Sequence, residues 1–366
     1  MAGRSSAPSR TLEKAFSRSV HGERSPHPCD GLFSWGSISN LSTLPFVPHT
    51  VALIIRCFNE EAHIGRLLTG VVRQTHVPEE IIVVDSGSTD ATLAIASAFP
   101  VEIVTVAPED FSFGRALNVG LASASTDVAV LASAHVYPLY DTWIDRLTAP
   151  FTTPKIAVTY GRQQTPPDGR LSERRILDQW FPARSVERQR HPFCNNANAA
   201  IRRSVWTDQP YNEALTGLED LDWAKKALAA GHIVSYVAEA PVAHVHEESF
   251  AQIVNRYRRE AIAHKEIYSE QRMGFATAIR LGVTNAMGDL RFARRQGVLR
   301  AHLADIPHFR LAQFYGTYRG FAQQGPATEL LRRRFYYPTP PAEDEDGEAE
   351  DAPGRAIDYD EPLTTG

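Results

Sequence analysis

The sequence predicts an α/β protein with a mainly parallel central sheet, followed by a helical C-terminal region. Three observations carry that expectation. Short, wholly apolar runs at residues 51–55 and 81–84 alternate with segments whose apolar residues recur at helical spacing. Polar residues collect where the apolar runs end. From residue 251 onward the pattern is mostly helical.

Taken in order, residues 1–48 are rich in Ser, Pro and Arg without periodicity and are expected to be disordered. At His49 the texture changes. Residues 51–55 read as a first strand, CFNEE as a turn, and 62–72 as a helix with Ile64, Leu67, Leu68 and Val71 on one face. A second strand at 81–84 ends at Asp85, and DSGSTD leads into a helix at 91–98. Apolar runs at 101–106 and 128–131 supply a third and a fourth strand, and 233–237 a later one. Strand and helix in alternation imply parallel strands joined by crossover helices, with both sheet faces covered. Ligands of such sheets bind at the carboxyl ends of the strands, where Arg56, Asn59, Glu60, Asp85 and Asp90 fall. The organisation expected is therefore a catalytic domain over 49–250, a basic helical region over 251–336 and an acidic disordered tail over 337–366. Helix breaks are expected near Gly274, at Gly297, at Pro307 and at Gly325–Pro326.

Composition bounds the function. A chain of 366 residues with 43% hydrophobic content can bury a full core. Cys29, Cys57 and Cys194 form no CxxC, which argues against a disulfide framework or structural zinc and suits a reducing compartment. No apolar run reaches the roughly 18 residues of a membrane span, and the basic opening MAGRSSAPSR has no apolar stretch behind it. A cytoplasmic protein is expected. The net charge of −5 is unevenly spread: residues 343–361 hold ten acidic residues and one arginine, a net of −9, so the rest sums to +4. Within that rest, residues 251–336 carry fifteen Lys and Arg against six Asp and Glu, a net of +9. Such a stretch suits peripheral contact with the anionic inner face of the cell membrane, or a solvated helical face.

The segment VALIIRCFNEE, followed after nineteen residues by IIVVDSGSTDAT, resembles the opening of family 2 glycosyltransferases. The resemblance covers roughly residues 50–250. It implies the GT-A fold, a nucleotide-binding α/β sandwich, and inverting transfer of a hexosyl or deoxyhexosyl group in cell-envelope polysaccharide biosynthesis. The donor implied is a UDP, dTDP or GDP sugar, and the acceptor a saccharide or a lipid-linked saccharide. No nucleic-acid partner is expected. On the donor side the resemblance implies Asp85 at the nucleotide's base or ribose, with Arg56, Asn59, Glu60 and Asp90 around the same pocket. FSFGRALNVG, residues 111–120, is similar to the family's loop-to-helix element beside the donor diphosphate. Arg115 is its natural phosphate partner, and Asn118 shares its helical face.

One departure bears on metal. Most relatives place an Asp-x-Asp after the fourth strand, whereas this chain has Ser133, Ala134 and His135. Mg²⁺ prefers carboxylate oxygens and imidazole suits softer ions, so Mg²⁺ and Mn²⁺ both stay open. Ser133 and His135 are expected at the donor, His135 as a lone ligand or a hydrogen-bonding partner of the diphosphate. AHVHEES adds His244 and His246, placed just after a strand and its loop, as further contacts to metal or diphosphate. On the acceptor side, HPFCNNANAAIRRSVW supplies Asn195 and Asn196. TGLEDLDWAKKAL resembles the family's Glu-Asp motif, which implies Asp220 as catalytic base, Glu219 and Asp222 in support, and Trp223 toward the acceptor.

Competing classes lack their motifs. A sugar-nucleotide pyrophosphorylase needs a Gly-rich loop where CFNEEAH stands, and a dehydrogenase needs GxGxxG there. A non-catalytic saccharide- or nucleotide-binding protein that retains the GT-A fold is the remaining alternative.

Overall fold

The apolar run at residues 51–55 extends into strand β1 (Val51–Cys57), buried along almost its whole length. Successive side chains of a strand point to opposite faces, and here both faces are covered. Val51, Leu53 and Ile55 belong to one core layer with Ile64, Leu67 and Trp143. Ala52 and Ile54 belong to the other with Leu117, Leu121 and Trp223. Each fully buried side chain of the Val, Leu or Ile kind contributes about 1.5–3 kcal/mol, so the two layers hold the sheet between them. A computed structural model describes residues 49–325 together with Leu331, Tyr336, Ile357 and Tyr359.

The remaining strands are β2 (Glu80–Asp85), β3 (Glu102–Thr105), β4 (Val128–Ser133), β5 (Val136–Pro138), β6 (Ile156–Gln164), β7 (Asn198–Arg202) and β8 (Ile233–His244). They form an eight-stranded sheet in the order β3-β2-β1-β4-β7-β6-β8-β5. Four of its seven pairings are parallel (β1/β2, β1/β4, β2/β3, β6/β8) and three antiparallel (β4/β7, β6/β7, β5/β8). The sheet is thus mixed: β1 to β4 run parallel to one another, and β6/β8 is a further parallel pair beyond the antiparallel β7.

The helices of this part are α1 (Ile64–Val72), α2 (Thr92–Ala96), α3 (Phe113–Ser123), α4 (Trp143–Thr148), α5 (Leu171–Trp180), α6 (Arg203–Asp208) and α7 (Glu219–Ala229). Asn198 pins the middle of the sheet. Its amide donates to the carbonyls of Arg162 (3.0 Å) and Ala240 (2.9 Å) and accepts from Trp143 Nε1 (2.9 Å).

The basic region folds into α8 (Phe250–Ile267), α9 (Phe275–Arg295), α10 (Leu299–His302) and α11 (Asp305–Ala322). Ser249 and Gln252 form a reciprocal cap at the start of α8. The helices α8 and α11 approach closely because a Cβ at Gly316 would run into the backbone of Val254, and one at Gly320 into that of Arg258. Gly274 caps α9, Gly297 follows its end at φ +76°, and Gly325 follows α11 at φ +73°. Pro307 opens α11 instead of breaking it, since a first-turn residue needs no N–H donor. Buried Asp289 of α9 joins these helices to α5, accepting from Ser172 (2.6 Å) and Arg310 (2.7 Å).

The expectation for residues 1–48 lies outside the described residues, as does most of that for 337–366. At Tyr359 disorder is not found. Its hydroxyl donates to Pro138 O at 2.7 Å, its ring meets Tyr137 edge-on at 5.5 Å, and the Arg66 guanidinium lies 5.0 Å from it. An aromatic ring amid acidic residues brings apolar area that composition alone overlooks. Among the described residues, no helix is long and apolar enough to cross a membrane.

Candidate active site

The ends of β1 and β2 make a knot of turns. Asn59 adopts φ +53°, a left-handed conformation Asn tolerates better than most residues. Its Oδ1 accepts from Thr89 N at 2.8 Å. The Asp85 carboxylate accepts from Gly87 N (2.9 Å) and Ser88 N (3.1 Å), with Gly87 at φ +93°. Asp90 accepts from the backbone N–H of Thr92 (3.0 Å) and Glu61 (3.1 Å), capping the approach to α2. Asn59, Asp85 and Asp90 therefore all brace these turns, and the Asp85 carboxylate, with the Cys57 thiol 3.6 Å away, is buried. Burial and neighbouring Asp85 push the Cys57 thiol up, so it stays protonated.

The second group is the carboxylate pair at the start of α7. Glu219 and Asp220 are both buried, at 5% and 9% exposure. The residue before them, Leu218, sits at φ +54°. Asn59 and Leu218 are the two non-glycine residues with positive φ among those described, and such strain concentrates at functional sites. Asp220 accepts from its own helix at Leu221 N (2.7 Å) and from Asn196 N (3.3 Å). The Asn196 amide donates to Glu219 Oε1 (3.4 Å) and accepts from the Tyr211 hydroxyl (3.1 Å). The Asn195 side chain accepts from Ala197 N (2.9 Å). Arg56 Nη1 lies 3.7 Å from Glu219 Oε1, and its guanidinium is 4.9 Å from the Phe113 ring. Arg259 of α8 meets the same ring at 4.6 Å. Burial, then the neighbouring Glu219 charge, raises the Asp220 pKa to about 7.

The third group is a histidine cluster. β8 runs through His244, and β5 pairs antiparallel with it so that Val136 faces His244. His135 thereby comes beside His244 and His246, with ring centroids 5.1 and 5.9 Å away. One ring nitrogen from each residue lies within 4.8 Å of the others. His135 Nδ1 is 2.6 Å from Glu60 Oε1, His244 Nδ1 is 2.6 Å from Gln163 Oε1, and His246 Nδ1 is 2.8 Å from Glu173 Oε1. His244 Nε2 is buried without a partner. Burial draws the His135 pKa down, but the Glu60 carboxylate outweighs it and leaves the ring above its ordinary value. Burial and the two other imidazoles push His244 well below. Burial would raise Glu173, yet His246 and Arg256 hold it at about 2.

Several expected residues lie elsewhere. Asn118 spends its whole amide on structure, donating to Tyr211 O and Glu213 and accepting from Trp206 Nε1 and Tyr211 N. It has no capacity left for a donor. Arg115 is half-exposed and turned to Glu213 (3.3 Å) and Asp110 (3.9 Å). Asp222 is taken up by Lys226 one turn on (2.7 Å), away from the buried pair. Trp223 is a core residue at 1% exposure whose Nε1 donates to Gln209 O, so it cannot face an acceptor. Its position, four residues from Glu219 on the buried face of α7, puts it under the sheet. His244 belongs to the strand itself and does not follow it. Ser133 ends β4 in register with Arg56. Missing from the expectation were Phe113, Gln163, Glu173 and Arg259. Common residue types far apart in the chain leave no motif by which to find them.

The eight-stranded α/β sheet with its crossover helices is the GT-A glycosyltransferase fold. The glycosyl transferase family 2 model matches residues 52–208 of the chain. It is similar to the O-antigen chain rhamnosyltransferase RfbN of Salmonella typhimurium, 28% identical over 226 residues that cover 58% of this chain and 72% of the relative. It is also similar to the O-antigen chain rhamnosyltransferase WbaN of Salmonella anatum, 28% identical over 209 residues that cover 52% of this chain and 64% of the relative. Among solved structures, the mannosyltransferase PcManGT of Pyrobaculum calidifontis, in complex with GDP-Man and Mn²⁺, shares the fold. The TM-score is 0.52 at 15% identity, over 89% of this chain and 94% of that one.

Proposed function

We propose that this chain transfers a sugar with inversion from a UDP, dTDP or GDP donor to a hydroxyl of a saccharide or lipid-linked acceptor. A 6-deoxyhexose such as rhamnose is the favoured sugar, because both enterobacterial relatives named above are rhamnosyltransferases. One observation carries the reading. A buried carboxyl whose pKa is raised to about 7 opens a helix beside the strand ends. A general base works best with a pKa near the working pH. As the acceptor oxygen forms its bond to the anomeric carbon, its proton passes to Asp220. The bond from that carbon to the diphosphate breaks, and the nucleoside diphosphate leaves. Glu219 and Asn196 hold Asp220 in place, and Asp85 takes the nucleoside.

The residues present fit a divalent metal at His135, His244 and His246, since a ring nitrogen of each converges there and His244 Nε2 is buried with no hydrogen-bond partner among the described residues. An ion bound there would neutralise charge on the departing diphosphate. Arg56 and Arg259, on either side of the site in the chain, supply further positive charge.

The reading extends to an anionic membrane surface as the place of work. Phe275, Ile279, Val283 and Met287 recur every fourth residue along α9 and are 45–59% exposed, with Leu311 of α11 at 64%. The same region carries a net +9, and an apolar stripe amid basic residues suits an interfacial helix.

Incubation with candidate nucleotide sugars and lipid-linked saccharides tests the function. Transfer with inversion, lost in Asp220→Asn, supports it. Nucleotide binding without transfer to any acceptor or to water favours the binding-protein alternative.

A further inference from the structure

We propose that His135, His244 and His246 form a three-imidazole centre for one divalent first-row transition-metal ion of the Zn²⁺, Co²⁺ or Mn²⁺ kind, in preference to Mg²⁺. The inference rests on the placement of this cluster at the donor side, but its chemistry stands on the ligand set alone.

The donor atoms are nitrogens, and carboxylates sit behind them. Imidazole suits Zn²⁺, Co²⁺ and related ions, whereas Mg²⁺ demands oxygen ligands in octahedral array. No carboxylate stands between His135, His244 and His246 in the cluster of converging ligand atoms. Instead, Glu60 and Gln163 hydrogen-bond Nδ1 of His135 and His244 at 2.6 Å, while Nδ1 of His246 lies 2.8 Å from Glu173 Oε1 without a hydrogen bond to it. A ligating histidine characteristically gives its other ring nitrogen to an oxygen in this way, which fixes the tautomer and leaves Nε2 for the metal. His244 Nε2 is such a nitrogen, buried and with no hydrogen-bond partner among the described residues. A core histidine would find a hydrogen bond there. The backbone brings the rings together: β5 and β8 pair antiparallel, and Val245 N donates to His135 O at 3.1 Å. Three imidazoles leave positions open to water or diphosphate oxygens, as in a catalytic metal site.

The test uses the full chain stripped with EDTA and titrated with Co²⁺. Ligand-field absorption reports nitrogen coordination, and mass spectrometric metal analysis reports stoichiometry. The expected result is one Co²⁺ per chain, retained against a large excess of Mg²⁺ and displaced by Zn²⁺. His246→Ala, at a partly exposed position, should abolish the absorption without changing circular dichroism or melting. Gln163→Met, which keeps volume but removes the acceptor, should weaken Co²⁺ by about 10–100-fold. Displacement of Co²⁺ by comparable Mg²⁺, or full binding by His246→Ala, overturns the proposal. A chain that transfers sugar but takes up no Co²⁺ overturns this centre and leaves the transferase reading standing. One that binds Co²⁺ through these rings but transfers nothing does the opposite.

Discussion

Arg56, at the end of β1, reaches Glu219, in the first turn of α7, with 3.7 Å between Nη1 and Oε1. This contact joins the first strand of the sheet to the helix that carries the proposed base. It also brings positive charge to Asp220, on which Arg56 acts to lower the pKa against burial and Glu219.

The pH profile of transfer follows. A base must be deprotonated, so turnover should be low below pH 6 and rise through about pH 7, the Asp220 value. Arg56→Met removes the nearby cation and should move that rise to higher pH. Initial rates across pH for both proteins check this, and an unmoved midpoint in Arg56→Met contradicts it.

Stability should move against activity at the same residue. The folded pKa of Asp220 lies above its ordinary value, so its contribution is most favourable at low pH. That contribution is lost as pH rises from the unfolded pKa through about 7. Asp220→Asn removes the buried charge and should raise the melting temperature above pH 7, with little change near pH 4. Thermal unfolding at the two pH values measures it.

Membrane contact is testable on α9. Ile279→Asp with Val283→Asp places two charges in the exposed stripe without touching the core. Flotation with anionic liposomes at low salt should fall sharply for the double variant while transfer to a water-soluble acceptor persists. Each basic residue near such a surface contributes about 1 kcal/mol, so raised salt should weaken the parent protein as well. Failure of the parent to float removes the membrane from the account.

Gly316 sets the approach of α11 to α8. Gly316→Val forces a side chain against the Val254 backbone and should destabilise by about 1–3 kcal/mol, the range of overpacking. Urea denaturation gives the value. A neutral effect would mean that the helices separate at little cost.

The parts of the fold that repeat one residue class were legible in the sequence. β1 and β2 read as strands because both of their faces are buried, which leaves an unbroken apolar run. α7 was legible because acidic residues open it and lysines follow. β5 and β6 were not foreseen, the first being only three residues long and the second mixing Thr, Gly, Arg and Gln into its run. The site divides in the same way. Asp220 and Asn196 were expected, and the structure brings them together. The histidines were expected separately, yet their convergence depends on β5 pairing with β8. Gln163 and Glu173 lie 81 and 73 residues from their histidine partners, and no local pattern marks them. Trp223 and Asn118 misled because an aromatic or an amide beside a motif looks the same whether it meets ligand or core.

The central claim is that Asp220 takes the acceptor proton in an inverting transfer, and the turnover of Asp220→Asn with its product's anomeric configuration tests it most directly. Asparagine keeps the size of Asp220 and one of its two backbone hydrogen bonds but accepts no proton. Loss of a general base costs about 10²–10⁴-fold, so turnover should fall by that much with donor affinity nearly unchanged, and the parent's product should carry the anomeric configuration opposite to the donor's. Near-normal turnover in Asp220→Asn, or a product that retains the donor's configuration, would contradict the account.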